Sequence, residues 1–244
     1  MLPGLSLRSD GRVGGFGSDA RKAPEIHLGY FTRVRGLWTL LDRVVSLCLQ
    51  ADRCYQVVNL GAGFDTLYWR LKAAAAGKLL RNFVDVDLPE VAASKCTLVK
   101  KSKLLLERVA DGEGEVHLPN TTDLHGTDYH IVACDFTHTA NLEKKLETCN
   151  WDYTVPTVFV AECVFVYLDP SKVTDFLKWI KLKFNSGGVA LLNHEQLNMN
   201  DRFGQVMLEN LSQRGCGLPG VKACQGMQKM LSLVVMVVYL DMLY

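Results

Sequence analysis

Short apolar runs rich in β-branched residues alternate along this chain with longer amphipathic segments, and this alternation most restricts the possible fold. Five runs are predicted as strands, over residues 56–60, 82–87, 129–134, 157–162 and 189–194. They are apolar almost throughout, which is typical of strands covered by helices on both faces. Apolar residues at helical spacing predict helices over residues 30–50, 66–71, 89–109, 142–148 and 171–184. The sequence therefore predicts an α/β fold with a doubly wound, mostly parallel sheet.

The length of 244 residues fits one such domain. We predict a disordered, glycine-rich leader over residues 1–20 and a single domain over residues 21–244, with its last C-terminal strands missing. Residues 111–128 are polar and rich in turn formers, which predicts an exposed loop. Residues 230–244, "MLSLVVMVVYLDMLY", contain too short an apolar run to span a bilayer, and we predict a buried strand there.

Charge and cysteine usage restrict the partners and the compartment. The chain has 27 basic and 26 acidic residues, a net charge of +1, so its totals favour neither nucleic acid nor an anionic membrane as a partner. Its eight cysteines include no CxxC pair, and several lie in apolar runs such as "HIVACDF". We therefore expect reduced core thiols in a cytoplasmic protein. We also expect the protein to be a monomer. The nearest His–Cys group by spacing, His130, Cys134 and His138, lacks a fourth ligand, so the sequence predicts no metal site.

A glycine-spaced turn follows the first predicted strand, in "QVVNLGAGFDTLYWRL". Gly61 and Gly63 lie at the carboxyl end of that strand, where open α/β sheets bind ligands. A dinucleotide fingerprint needs a third Gly or Ala where Thr66 stands, and no Gly-Lys-Ser/Thr of a P-loop is present. The pattern that remains is that of S-adenosylmethionine (SAM) enzymes, in which an acid ends the second strand.

Acidic residues stand at the ends of three predicted strands. Asp87, in "NFVDVDLPE", is placed to accept hydrogen bonds from ribose hydroxyls, although an Asp before Leu88-Pro89 also suits a helix N-cap. Asp135 ends the strand in "IVACDF". Glu162 interrupts the apolar run "VFVAECVFVYL", and a buried carboxylate needs a partner. Because parallel strands end at one edge, we expect these acids to converge on one crevice.

Five motifs in the same order resemble the leucine carboxyl methyltransferase family, over roughly residues 21–224. They are "RKAPEIHLGYFTRVRG", "VVNLGAGFDTLYWRL", "VDVDLPEV", "PTVFVAECVFVYLDP" and "HEQLNMNDRFGQVMLENLSQRGC". The resemblance implies a SAM-dependent, Rossmann-like methyltransferase that esterifies the C-terminal leucine carboxylate of the type 2A protein phosphatase catalytic subunit.

The resemblance also implies roles for individual residues. Arg33 would lie at the methyl-donor and substrate-carboxylate site, and Tyr167 would line the substrate pocket. The turn at Gly61 and Gly63 would pass under the amino-acid part of SAM, and Asp87 would bind its ribose. The adenine would lie between Asp135 and Phe136, and Glu162 would face the methionine part of the donor.

Two alternatives remain open at this stage. A related branch of the family methylates a carboxyl group on a hypermodified tRNA base. Family members also carry an N-terminal cofactor-contacting lysine that has no counterpart here, and the match fades after Cys224. The second alternative is therefore a catalytically inactive, truncated fragment.

Overall fold

A computed structural model describes residues 6–7, 13–14, 24–110, 115–184, 186–197 and 199–224. Within the first 20 residues, the described strands β1 (Ser6–Leu7) and β2 (Val13–Gly14) pair antiparallel. Whether the other residues of this segment form a disordered leader stays a prediction. The prediction of a buried strand over residues 230–244 lies outside the described residues.

A six-stranded sheet organises the rest of the described chain. Its strands stand in the order β5-β6-β4-β3-β7-β8, and every neighbouring pair is parallel except β5 with β6. Strand order reverses between β3 and β7, so the edge after these two strands is the ligand-binding position of an open α/β sheet. The predicted doubly wound, mostly parallel sheet is confirmed. The strands are β3 (Tyr55–Leu60), β4 (Leu80–Asp87), β5 (Leu124–His125), β6 (Tyr129–Ala133), β7 (Thr157–Glu162) and β8 (Val189–His194).

Helices precede, connect and follow these strands. The predicted helix over 89–109 is two helices, because the chain leaves helical geometry at Ser102, whose ψ is 105°. Asp169 begins the helix after β7, since its side chain accepts a hydrogen bond from Ser171 N and Pro170 takes the first helical position. The helices are α1 (Pro24–Gln50), α2 (Leu67–Ala73), α3 (Pro89–Lys101), α4 (Lys103–Ala110), α5 (Thr139–Glu147), α6 (Pro170–Lys183) and α7 (Arg202–Gln213).

Two hydrophobic clusters lie on opposite faces of the sheet and give three layers. On one face α1 presents Leu37, Leu41 and Val45, at helical spacing, to strand residues such as Val57 and Val158. On the other face α5 and α6 cover a second set of strand residues. Alternate residues of each strand therefore enter different clusters, which explains why the strands are apolar throughout.

The polar interval 111–128 is not simply an exposed loop as predicted, because it contains β5. Leu124 is fully buried, and His117 pairs with His125 through two backbone hydrogen bonds of 2.8 Å. A strand of two residues in polar surroundings carries too little periodicity to be recognised from sequence. Among the described helices, none is both long and apolar enough to cross a bilayer.

Candidate functional site

The glycine turn follows β3 at the carboxyl edge of the sheet. Gly61 has a φ of +57° and Gly63 a φ of +50°, in the left-handed region that favours glycine. A Cβ added to Gly61 would lie 2.8 Å from a methyl group of Val164, in the loop after β7. The turn therefore needs glycine both for its backbone conformation and for the close approach of the neighbouring loop.

Asp87 ends β4 and is bound to this turn. Its Oδ2 accepts a hydrogen bond of 2.7 Å from Gly63 N, and its Oδ1 accepts one of 2.7 Å from Leu88 N. Burial raises the pKa of the Asp87 carboxyl, and these two N–H groups oppose the rise. Leu88, not Asp87, occupies the N-cap position of α3, so the helix-cap interpretation is wrong. Each carboxylate oxygen keeps lone-pair capacity for a further donor.

Glu162 ends β7 and forms an ion pair with Arg33 of α1. Arg33 Nε donates to Glu162 Oε1, and Arg33 Nη2 lies 3.4 Å from the Glu162 backbone oxygen. Burial lowers the pKa of Arg33, but Cys163 and Glu162 outweigh it, so the pKa is raised and the guanidinium stays charged. Arg33 Nη1 makes no hydrogen bond to the described residues. One edge of the guanidinium is thus held by Glu162, and its other end remains available.

A further acid, Glu195, organises the loop after β7 and was missed from sequence. Its Oε1 accepts hydrogen bonds from Val164 N at 2.9 Å and from Phe165 N at 2.7 Å. Its side chain is buried, and Oε2 has no partner among the described residues. Burial raises the pKa of Glu195 to about 7. The sequence contained a signal for this residue, because Glu195 follows the apolar run of β8 in the same way that Glu162 ends the apolar run of β7.

Cys163 shows how tightly this loop is turned. It has a φ of +56°, unusual for a residue with a Cβ, and its N–H donates to His194 O at 2.7 Å. The next residue, Val164, contacts Gly61 and is held by Glu195. The loop after β7 and the glycine turn after β3 are therefore packed as one unit.

Asp135 lies at the same edge, after β6. Its Oδ1 accepts from Thr137 N at 3.0 Å and from Thr137 Oγ1 at 2.7 Å, and its Oδ2 lies 3.2 Å from His138 Nδ1. Burial raises the pKa of Asp135, but the two bonds from Thr137 outweigh it and hold the pKa below its ordinary value. Cys134 N donates to Asp87 O at 2.8 Å, which joins this strand end to that of β4.

Phe136 and Tyr167 are less open than sequence reasoning suggests. The Phe136 ring is buried, with its centroid 4.9 Å from that of Phe176. Tyr167 is half-buried beside Val166 and Met199. Burial raises the pKa of Tyr167 to about 12, and the nearby Arg33 opposes the rise.

The geometry thus contains two linked groups at the point where strand order reverses. Gly61, Gly63 and Asp87 form one group, and Arg33 with Glu162 forms the other. A basic fork, several carboxylates and a tight backbone turn are suited to a zwitterionic ligand that also carries hydroxyls.

Comparisons with known proteins give one matching family model and several similar proteins. The family model described as "Leucine carboxyl methyltransferase" matches residues 9–181. The relative named leucine carboxyl methyltransferase 1 from Bos taurus is 38% identical over 217 residues, covering 86% of this chain and 62% of the relative. The protein of the same name from Caenorhabditis elegans is 34% identical over 214 residues, with coverages of 87% and 62%. Human tRNA wybutosine-synthesizing protein 4 is 32% identical over 209 residues, with coverages of 83% and 29%. The chain spans about 62% of the length of the first of these relatives.

Proposed function

Because the chain belongs to the leucine carboxyl methyltransferase family, we propose that it transfers a methyl group from SAM to a C-terminal leucine carboxylate. The substrate that we propose is the catalytic subunit of type 2A protein phosphatase. One observation carries the proposal: Glu162, paired with Arg33, ends β7, and its parallel neighbour β3 leads into the Gly61–Gly63 turn that is bound to Asp87. The Arg33 guanidinium, a group that binds carboxylates, therefore lies next to groups suited to a donor with an amino-acid part and a nucleoside part.

The side chains present fit SAM. Glu195 Oε2, a buried carboxylate oxygen with no partner among the described residues, is a group that a bound donor would satisfy directly or through water. Asp87 would accept the ribose hydroxyls through its remaining lone pairs, and Glu162 would face the ammonium group. The backbone at Gly61 and Gly63 would pass under the amino-acid part. These assignments rest on the hydrogen-bonding capacity described above.

The roles of Asp135, Phe136 and Tyr167 are proposals of the same kind. Asp135 would lie at the adenine edge, held in orientation by Thr137. The Phe136 ring is only 6% exposed, so we infer that it forms the floor under the adenine rather than a stacking surface. Tyr167 would line the acceptor pocket, as a neutral hydroxyl at physiological pH.

SAM, when bound, supplies an electrophilic methyl group on a sulfonium centre. The acceptor needs no general base, because an α-carboxyl group with a pKa of about 3.5 is already ionised at neutral pH. The methyl group moves from sulfur to a carboxylate oxygen, the sulfonium becomes a thioether and no proton is transferred. What the chain provides is therefore position and exclusion of water.

Arg33 would orient the acceptor carboxylate through its free end. A guanidinium that binds a carboxylate also lowers the nucleophilicity of the carboxylate. Glu162 reduces this effect, because it already neutralises part of the Arg33 charge from the Nε side. Lysine lacks the second edge of the fork and would be unable to hold Glu162 and an acceptor carboxylate in the same way.

Calorimetric titration of the purified full chain with SAM tests the donor site. We expect saturable binding that Asp87→Ala abolishes. Asp175→Ala is the matched control, since Asp175 lies on α6 with its side chain 75% exposed, and it should bind as the parent chain does. Absence of SAM binding by the folded parent chain would overturn the proposal and favour an inactive fragment.

Methyl transfer to peptides tests the acceptor. A phosphatase-tail peptide with a free C-terminal leucine carboxylate should be methylated, and the same peptide with a C-terminal amide should not. Because the human relative is named for tRNA wybutosine synthesis, the precursor tRNA forms a third arm. Methylation of the tRNA but not of the peptide would refute the protein substrate and leave the chemistry unchanged.

A further inference from the structure

Two histidines and a cysteine come together at the edge of the sheet formed by β5 and β6. His125 Nδ1 lies 3.0 Å from His130 Nδ1, and Cys149 Sγ lies 4.0 Å from His125 Nδ1. All three potential ligand atoms lie within 4.8 Å of one another. His130 and Cys149 are buried and His125 is half-buried, so the group is not a chance meeting of mobile surface side chains.

The spacing of these atoms is close to that required around a tetrahedral metal ion. Metal–nitrogen bonds of about 2.0–2.1 Å and a metal–sulfur bond of about 2.3 Å place neighbouring ligand atoms about 3.3–3.6 Å apart. The separations of 3.0 and 4.0 Å lie on either side of this range. The third separation, from Cys149 Sγ to a ring nitrogen of His130, is at most 4.8 Å, so shifts of up to about an ångström would bring all three atoms onto one ion.

The three side chains are of the types that bind zinc-class ions. Imidazole nitrogen and thiolate sulfur are common zinc ligands. A coordinated metal deprotonates its thiol ligand, so Cys149 would bind as a thiolate.

The charged groups that face the cluster do not exclude a cation. The ammonium of Lys145 is paired with Asp123 at 2.5 Å, so its charge is largely neutralised. Asp123 also accepts hydrogen bonds from Ala133 N and Asn120 Nδ2. Because the Asp123 carboxylate already accepts these hydrogen bonds, it acts as a nearby negative charge and not as a metal ligand.

We propose that His125, His130 and Cys149 bind a divalent transition ion of the zinc class, with a fourth position open to solvent. A cavity of about 820 Å³ is lined by one of the three ligands, His125, together with His117 and Lys145. Water from this cavity completes the coordination.

Such an ion joins three separate parts of the chain. His125 belongs to β5, His130 to β6, and Cys149 follows α5. The ion therefore fastens the antiparallel edge of the sheet to the helix that covers it. Since none of these residues takes part in the methyl-transfer proposal, the two stand or fall separately.

Cobalt titration of the metal-free full chain tests the site. We expect one equivalent of cobalt to bind with the intense absorption of a cobalt–thiolate bond, and zinc to displace it. Zinc should also raise the melting temperature of the chain. Cys149→Ser and His125→Gln should each weaken binding by at least about 100-fold, since each removes one of three protein ligands.

Matched controls keep the result specific. Cys96→Ser removes another buried thiol and His27→Gln another histidine, both outside the cluster, and both variants should retain the cobalt spectrum. If Cys149→Ser fails to fold, His125→Gln decides the outcome, because its side chain is only half-buried. No thiolate absorption with stoichiometric cobalt, or equal binding by parent and variants, would overturn the proposal and leave a hydrogen-bonded histidine pair.

Discussion

Glu195→Gln should change how the stability of the fold depends on pH. Glu195 is 9% exposed, and its pKa is raised by burial from 4.5 to about 7, against the opposing N–H groups of Val164 and Phe165. The Gln carbonyl oxygen can still accept both of these hydrogen bonds. The variant therefore removes the ionisation and keeps the contacts that hold the loop after β7.

The sign and size follow from the proton balance. The unfolded chain releases the Glu195 proton near pH 4.5, whereas the folded chain keeps it until about pH 7. The folded state binds more protons in this window, so the contribution is fully present below pH 4.5 and is lost as the pH rises through 7. Integration from pH 5 to pH 8 gives a loss of about 2–3 kcal/mol.

Urea unfolding of the parent chain and the variant at pH 5 and pH 8 measures this loss. The free energy of unfolding of Glu195→Gln, relative to the parent, should rise by about 2–3 kcal/mol between the two pH values. Glu209→Gln, on the exposed side of α7, controls for the change of charge. A relative stability that is the same at both pH values would refute the argument that burial dominates at Glu195.

Three further substitutions, one of them with a matched control, test other parts of the structure by the same unfolding measurement. Gly61→Ala should lower the free energy of unfolding by about 1–3 kcal/mol, because its φ is +57° and the new Cβ would lie 2.8 Å from a side-chain methyl group. The control Gly36→Ala, in an open helical position of α1, should raise it by about 0.5–1 kcal/mol. Equal effects of the two substitutions would contradict the geometry of the turn. Lys95→Met should cost about 3–5 kcal/mol, since it leaves Asp85, only 3% exposed, without its ion-pair partner at 2.7 Å; a loss below about 1 kcal/mol would show that the pair is solvated. Asp169→Ala should lower the free energy of unfolding by removing the N-cap of α6, and no loss would mean that the cap is formed without this side chain.

Much of the sheet was predictable because burial on both faces leaves a local signal. The predicted strands over 157–162 and 189–194 coincide with β7 and β8, and the other three parallel strands differ from prediction by one or two residues at their ends. Strand β5 was not predictable from local hydrophobic periodicity, because it is only two residues long. The break at Ser102 was missed for a similar reason, since helical periodicity continues across it.

The candidate donor site was predictable in part for a topological reason. Parallel strands end at one edge, so Gly61, Gly63, Asp87 and Glu162 were expected near one another from their positions alone. Their partners were not expected. Glu162 is paired with Arg33, 129 residues away in sequence, and no periodic pattern relates two such positions.

The sequence by itself determined the class of fold, the candidate edge for ligand binding and the family, because these follow from local periodicity and from motifs in a fixed order. Only the tertiary structure decided which side chains are buried and which groups meet. It placed Phe136 in the core and left an oxygen of Glu195 without a partner among the described residues. It also brought Cys149 to His125 and His130, a group that spacing along the sequence did not indicate. Burial and contact between distant residues arise from packing of the whole chain, and therefore leave little trace in any short stretch of sequence.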